Sequence, residues 1–336
     1  MMSIQNEKQT PLGVIGSITA GFEIVGWRLW LVALPMLLDL LLWLGPQISL
    51  DPLMDRIVIA MRTQAMPTSL MAQQIDQAIQ TLETIGEGLD LASLLSVIPL
   101  LHLPSLLAWR LSEAISPMGD LTVLSVSNFG VLLGWMILLM PIGLLLGFLY
   151  LNGLARRVRD ARLPDQSNAD SSLSARTNFG KFIRVLLFAF VLLVVGVVLG
   201  GVWMLVVGMM ALISPVLGFV MWALGMGLGI YLALNMVFVV PALLVGERGL
   251  WQAIWESFVL MQMQAPSVLG LLLLTFVIYE GLGLVWTLPS LDSWSMLLGI
   301  FGNSCVATGL AAATFVFYQE RVGQLAELRQ TTASTS

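Results

Sequence analysis

Residues 185–246 read VLLFAFVLLVVGVVLGGVWMLVVGMMALISPVLGFVMWALGMGLGIYLALNMVFVVPALLVG, without one charged side chain. A helix needs only about 20 apolar residues to cross the hydrocarbon of a bilayer, so a run this long holds two spans. The fold between them falls at Ser214-Pro215, a capping hydroxyl followed by a residue suited to the first position of a helix. The two spans are 185–213 and 216–244. At 1.5 Å per residue each makes about 43 Å of helix against ~30 Å of hydrocarbon, so both must tilt or protrude.

The rest of the chain has the same character. Its residues are 58% hydrophobic and 10% charged, more apolar surface than a soluble core could bury. The mean hydropathy of +0.91 agrees. The predicted fold is all-α, a polytopic membrane bundle of six transmembrane helices with interfacial amphipathic helices and an outer helical loop. In chain order the reading is a cytoplasmic N-terminus and interfacial helix (1–26), a first span (27–46), an extracytoplasmic helical loop (47–126), a second span (127–151) and a basic cytoplasmic linker (152–184). The third and fourth spans follow. Then come a cytoplasmic amphipathic helix (245–265), the fifth span (266–288), the sixth (294–318) and a cytoplasmic tail (319–336).

Local signals set these limits. Thr10-Pro11 starts a helix in which Leu12, Ile15, Thr19, Phe22 and Gly26 recur at helical spacing, as an interfacial helix requires. Trp27, Trp30 and Trp43 are placed as aromatic anchors of the first span. Asp51-Pro52 opens a helix with Leu53, Met54, Ile57, Val58, Met61 and Ala65 on one face, and Pro67 opens another. The apolar stretch 91–109 is not read as a span: were it to cross, the cluster Arg156, Arg157, Arg159 and Arg162 would face outward. With the layout above, all of the 15 lysines and arginines except Arg56, Arg62 and Arg110 fall on the side of the N-terminus. By the positive-inside rule both termini are then cytoplasmic, in the cytoplasmic membrane of a bacterium. The polar N-terminus carries no signal-peptide pattern.

A threefold unit of interfacial helix, outward span and inward span is a further reading. Trp43 through Pro46 to Ser49-Leu50-Asp51 echoes Trp286 through Pro289 to Ser290-Leu291-Asp292, and Asn152, Asn235 and Asn303 lie in the three inward spans, where they would line the bundle. Membrane sequences draw on few residue types, so such echoes also arise by chance.

Asp39 and Glu280 stand out, because a carboxylate within a span is costly and faces a partner or an aqueous cavity. Each precedes its helix-ending proline by a similar distance, which gives the two a shared depth. One reading makes them a carboxylate pair that holds a proton or cation. The other, which is preferred, has each neutral or paired with Arg56, Arg62, Arg110 or His102, fixing the outer loop to the bundle. His102 is the only histidine and Cys305 the only cysteine, which excludes a histidine- or cysteine-rich metal site and an internal disulfide. The pairs Gly130/Gly134, Gly143/Gly147, Gly196/Gly200 and Gly225/Gly229 are small residues four apart, read as helix packing. The arginines at 156–162 orient the chain and attract anionic headgroups. They lack interleaved aromatics, and with a net charge of −5 no nucleic-acid partner is expected.

No phosphate-binding glycine loop, HExxH, GxSxG or CxxC is present, and neither a cofactor nor enzymatic activity is expected. The leading functional reading is a non-enzymatic scaffold or accessory protein, its partners the lipid bilayer and either another membrane protein or a second copy of the chain. The alternatives are a proton- or cation-coupled transporter or channel using Asp39 and Glu280, and an intramembrane enzyme acting on lipid.

The stretch Pro241-Ala-Leu-Leu-Val-Gly-Glu247-Arg-Gly-Leu-Trp-Gln-Ala253-Ile-Trp-Glu-Ser257, running into Pro266, resembles a segment of the membrane domain of bacterial glycerophosphodiester phosphodiesterases and its stand-alone relatives. In that pattern a proline near a helix end is followed by an acidic turn, an amphipathic helix with alanine and serine, and the next span. The resemblance implies architecture, a six-helix bundle with inner amphipathic helices. It implies no phosphodiesterase activity, since the soluble catalytic domain of the enzyme form is missing, and the long outer loop departs from the pattern.

Overall fold

A computed structural model describes residues 12–26, 28–64, 76, 79–80, 82, 90–96, 103–108, 116–119, 121–162 and 174–334, with the backbone alone at 64, 162, 174–177 and 325–334. Its helices are α1 (Val14–Gly26), α2 (Trp30–Leu44), α3 (Asp51–Gln64), α4 (Phe129–Arg162), α5 (Ser174–Ile213), α6 (Pro215–Met236), α7 (Val239–Leu244), α8 (Leu250–Trp286) and α9 (Met296–Ser334). Among the described residues five stretches are long and apolar enough to cross a membrane: Phe129–Ala161, Asn178–Ile213, Pro215–Leu244, Leu250–Trp286 and Met296–Gln324. A sixth is reached by counting α1 and α2 as one broken span. The chain is a multi-pass α-helical membrane protein.

Several boundaries differ from the sequence reading for identifiable reasons. The first span was expected over 27–46, but α2 has 15 residues, about 22 Å of helix against ~30 Å of hydrocarbon. Gly45 and Pro46 stop it. The stretch after the second span was expected to be a linker, yet α4 runs on through the arginine cluster to Arg162, and nothing between Leu151 and Arg162 breaks a helix. The amphipathic helix and the fifth span form one element, α8, with a break at Gln264 (φ −131°, ψ 31°), two residues before Pro266. Within 91–109 the described parts are a 3-10 turn, Leu91–Leu95, and an irregular segment, with no spanning helix among them. The segment opened by Pro67 lies almost wholly outside the described residues.

The described residues divide into two compact units. The first comprises those within 1–27, 151–276 and 309–336. Its core is formed by Leu154, Val158, Phe188, Phe238, Leu243, Leu260, Phe317 and Tyr318, with Phe238 stacked on Phe317 at 5.8 Å between ring centroids. Small residues bring α1 onto α9: a Cβ on Gly21 would lie 2.5 Å from Ala313 N, and one on Gly309 would lie 2.6 Å from the Phe22 ring. The face of α1 that docks is Ser17, Ile18, Gly21 and Val25, while Ile15 remains 74% exposed. The periodic apolar face expected from sequence is thus turned away from the protein at Ile15, where lipid can cover it. On α8 the buried stripe is likewise Ala253, Ser257, Leu260 and Met261, and the large rings Trp251 and Trp255 are exposed.

The same unit holds the α5–α6 hairpin. Of the glycines whose spacing suggested packing, Gly225 lies against Trp203, but a Cβ at Gly196, Gly200 or Gly229 would meet nothing within 4 Å; Gly218, outside those pairs, lies against Ala211. Large apolar residues such as Val197, Leu205, Leu212 and Phe219 are exposed along it.

The second unit comprises the described residues within 28–150 and 277–308. It contains a feature that an all-α reading omits, a parallel pair of three-residue strands, β1 (Gln47–Ser49) and β2 (Val123–Ser125), with Ile48 opposite Leu124. Asp90 braces it by accepting hydrogen bonds from the amides of Ile48 and Ala92, each 2.9 Å. On α3, Leu53 and Val58 of the expected apolar face are buried. Trp43 was expected at the membrane boundary but is 2% exposed, because its indole N–H finds the Leu291 carbonyl at 2.8 Å and its ring meets Trp294 edge-on at 5.8 Å. The two stretches that echo each other in sequence therefore touch. Trp43, Met296 and Ile300 form the core here, with Leu40, Leu106 and Leu291 packed around them. Gly143 is a packing point as its spacing suggested, lying against Leu95.

Candidate functional site

Asp39 sits on the face of α2 that also carries Leu31, Val32, Pro35 and Leu38, all buried, and it is itself wholly inaccessible. A buried carboxylate must be satisfied by donors. Ser105 Oγ–H donates to Oδ1 in a short bond. The amide of Leu106 lies 3.0 Å from each carboxylate oxygen, and that of Leu107 lies 3.3 Å from Oδ1. Ser105 Oγ in turn accepts from the amides of Leu107 (3.2 Å) and Ala108 (3.0 Å). Segment 103–108 is irregular, so these amides are not taken up by a regular helix or strand. Asp39 and Ser105 together cap them, as capping side chains do at a helix start. The Tyr279 hydroxyl of α8 donates to the Ser105 carbonyl at 3.4 Å, and the Asn303 side chain lies beside that hydroxyl. Ser105 is therefore bonded to both α2 and α8, and Leu106 and Leu107 add further bonds to α2.

Glu280, next in the chain to Tyr279, is exposed. The structure does not join it to Asp39 in a hydrogen-bonded pair, for the Asp39 oxygens accept from Ser105, Leu106 and Leu107. Among the described residues, neither Arg56 nor Arg62 of the cations expected for Asp39 makes a bond to it. Arg56 is exposed on α3, Arg62 closes the last turn of that helix, and His102 and Arg110 lie outside the described residues. The carboxylate holds segment 103–108 to α2 through two amides and a serine. Sequence offered a hint in Pro104-Ser105, a capping residue after a proline, and nothing that pointed to Asp39 as its partner.

The three asparagines are all buried, with Asn152 and Asn235 in the first unit and Asn303 in the second. Asn235 donates to the Tyr231 carbonyl at 2.8 Å. Among the described residues, Asn152 Oδ1 and Asn235 Oδ1 have no hydrogen-bond partner.

A second polar centre, in the first unit, lies within the stretch Pro241–Ser257. After α7 the chain turns at Gly246, and Glu247 adopts φ 53°, a left-handed conformation that is rare outside glycine. A Cβ on Gly246 would lie 2.8 Å from both the Ala242 carbonyl oxygen and the Tyr318 hydroxyl, so the turn has no room for a larger residue. The Glu247 carboxylate receives Arg159 of α4 in a short ion pair and Lys181 Nζ of α5 at 2.8 Å. The Lys181 side chain is 5% exposed. Arg184 Nη1 donates to the carbonyls of Glu247 and Arg248, each at 3.3 Å. Beside it Arg248 Nε lies 3.1 Å from Glu256, which also accepts from the Tyr318 hydroxyl at 3.1 Å and from Gln252 at 3.2 Å. Burial acts to raise the pKa of Glu247, but the hydrogen bonds from Lys181 and Arg159 and their charges outweigh it, leaving the carboxyl below its ordinary value.

Of the arginine cluster, Arg156, Arg157 and Arg159 are half-buried on α4, and Arg157 pairs with Asp160 at 3.7 Å. The side chain of Arg162 lies outside the described residues. Sequence reading marked the cluster for orientation and did not anticipate that Arg159 would meet Glu247. The available signal was the acidic turn at Gly246-Glu247 within Pro241–Ser257.

Comparison of the chain with family models, with curated proteins and with solved structures finds no match.

Proposed function

We propose that the protein is a non-enzymatic scaffold or accessory component of a bacterial cytoplasmic membrane, with six spans and both termini in the cytoplasm. The observation that carries this reading is the use made of Asp39. The intramembrane carboxylate best placed for ion handling is satisfied by Ser105, Leu106 and Leu107 and holds a loop in place. Glu280, its expected partner in a cation site, is exposed. A transport site would need these carboxylates to exchange protons or ions with water, and bonds to fixed amides oppose that.

The exposed apolar surface of α5 and α6 supports the same reading. Hairpin faces with Gly196, Gly200 and Gly229 open to their surroundings suit close approach by a helix of a membrane partner or of a second copy. Kinship with the membrane domains of glycerophosphodiester phosphodiesterases rests on Pro241–Ser257 and extends to architecture alone.

The test is the particle size of the protein extracted in lipid nanodiscs without detergent. A scaffold gives a particle larger than one chain of 36.6 kDa and its annulus, at fixed stoichiometry, that is lost when Gly196 and Gly200 are both changed to Leu. A single chain that carries ion flux would instead establish the transporter reading.

A further inference from the structure

We infer that Arg159, Lys181 and Arg184 form a binding site for the phosphate group of an anionic lipid, with Glu247 as its fixed counter-charge. The inference stands apart from the scaffold reading, since any membrane protein could hold such a lipid. It begins with the charges that are already neutralised. Arg157 pairs with Asp160, and Arg248 pairs with Glu256. Among the described residues, that leaves Arg159, Lys181 and Arg184 gathered on Glu247, three positive charges against one negative. Arg156 adds to the same field, acting on Lys181.

Such an excess is costly among partly buried groups unless an anion supplies the missing charge. Lys181 is almost wholly buried and held by Glu247, which fixes one wall of the site. Arg184 is exposed, and among the described residues its Nη1 makes long bonds to two carbonyls, which leaves guanidinium N–H groups for a phosphate.

Depth selects the lipid headgroup as the source of that phosphate. The site lies where three apolar stretches reach their polar ends: Arg156 follows the apolar part of α4, Arg184 precedes Val185, and Glu247 follows Leu244. Trp251 and Trp255, one turn apart on α8, are 79% and 65% exposed just beyond Arg248. Indole rings with an apolar body and a polar edge settle at headgroup level. A phosphate at this depth is one attached to acyl chains.

The purified full chain, in a neutral detergent, is titrated with phosphatidylglycerol and separately with phosphatidylcholine, and bound lipid is counted by native mass spectrometry. The expected result is a saturable preference for phosphatidylglycerol that falls about fivefold in Arg184→Gln, the effect of one basic group near a phosphate, and returns in Arg184→Lys. Arg157→Gln, outside the site, should leave binding unchanged. Equal weakening by Arg157→Gln and Arg184→Gln would overturn the inference, since the attraction would then be diffuse. No preference for phosphatidylglycerol would overturn it as well. Competition by millimolar inorganic phosphate, lost in Arg184→Gln, would support the site and assign it a soluble phosphate. Arg159→Gln removes an ion pair and risks misfolding, so Arg184 carries the test.

Discussion

Replacing Asp39 by Ala should loosen the loop it holds, at a cost that follows from its bonds. Without the carboxylate the Leu106 amide loses its acceptor and the Ser105 hydroxyl loses the group to which it donates. The Leu107 amide keeps Ser105 Oγ at 3.2 Å. Two orphaned donors at ~1–3 kcal/mol each give about 2–6 kcal/mol of destabilisation. Ser105→Ala should cost about 1–3 kcal/mol, since Leu106 keeps its carboxylate and Leu107 falls back on its 3.3 Å bond to Asp39. Because the two side chains act in one network, the double variant should cost less than the two single changes added together, by at least ~0.5 kcal/mol. The assay is equilibrium unfolding in mixed micelles, with the rate of protease cleavage between residues 96 and 116 as a local readout. An Asp39→Ala protein within ~0.5 kcal/mol of the parent, with cleavage no faster, would refute the reasoning.

Other outcomes follow from the remaining contacts. Gly21→Ala should destabilise by about 1–3 kcal/mol in the same unfolding assay, because the new Cβ must push the backbone at Ala313; parental stability would mean that α1 does not dock on α9. Trp43→Phe keeps an aromatic ring beside Trp294 but leaves the Leu291 carbonyl without its donor, at about 1–3 kcal/mol. For Glu247 the folded pKa is depressed, so its contribution to stability is present above the ordinary value of 4.5 and is lost as pH falls through the folded value. The stability gap between the parent and Glu247→Gln should therefore be constant above pH 4.5 and close below it; a gap that closes on raising the pH would reverse the sign. Glu280→Gln, at an exposed position, should change stability by less than ~0.5 kcal/mol.

The helical membrane fold was legible because its signal is compositional. A charge-free run from Val185 to Gly246 leaves no other solution, and the proline breaks at Ser214-Pro215 and Pro266 fall where the helices turn or kink. What escaped was what depends on pairing distant residues. Asp39 announced itself as a costly carboxylate, but its partners are backbone amides, which every residue carries and no sequence pattern marks. The short strands Gln47–Ser49 and Val123–Ser125 are far apart in the chain and too brief for alternation to show. The docking face of α1 was only partly legible: Phe22 of the periodic face meets Gly309, but the small residues Ser17 and Gly21 allow the closest approach, whereas hydrophobic periodicity favours large ones. Glu247 was visible in Pro241–Ser257 as an acidic turn. Its meeting with Arg159 and Lys181 required three separate helices to end at one place.

Ion flux in sealed proteoliposomes tests most directly whether the intramembrane carboxylates are structural. The parent and the double variant Asp39→Asn, Glu280→Gln are reconstituted at equal density, and proton and sodium movement is followed under an imposed potential. Identical traces at the level of protein-free liposomes are expected from a carboxylate held by Ser105 and two amides. Flux in the parent that disappears in the double variant, with both proteins folded, would contradict the structural role and make Asp39 and Glu280 a transport site.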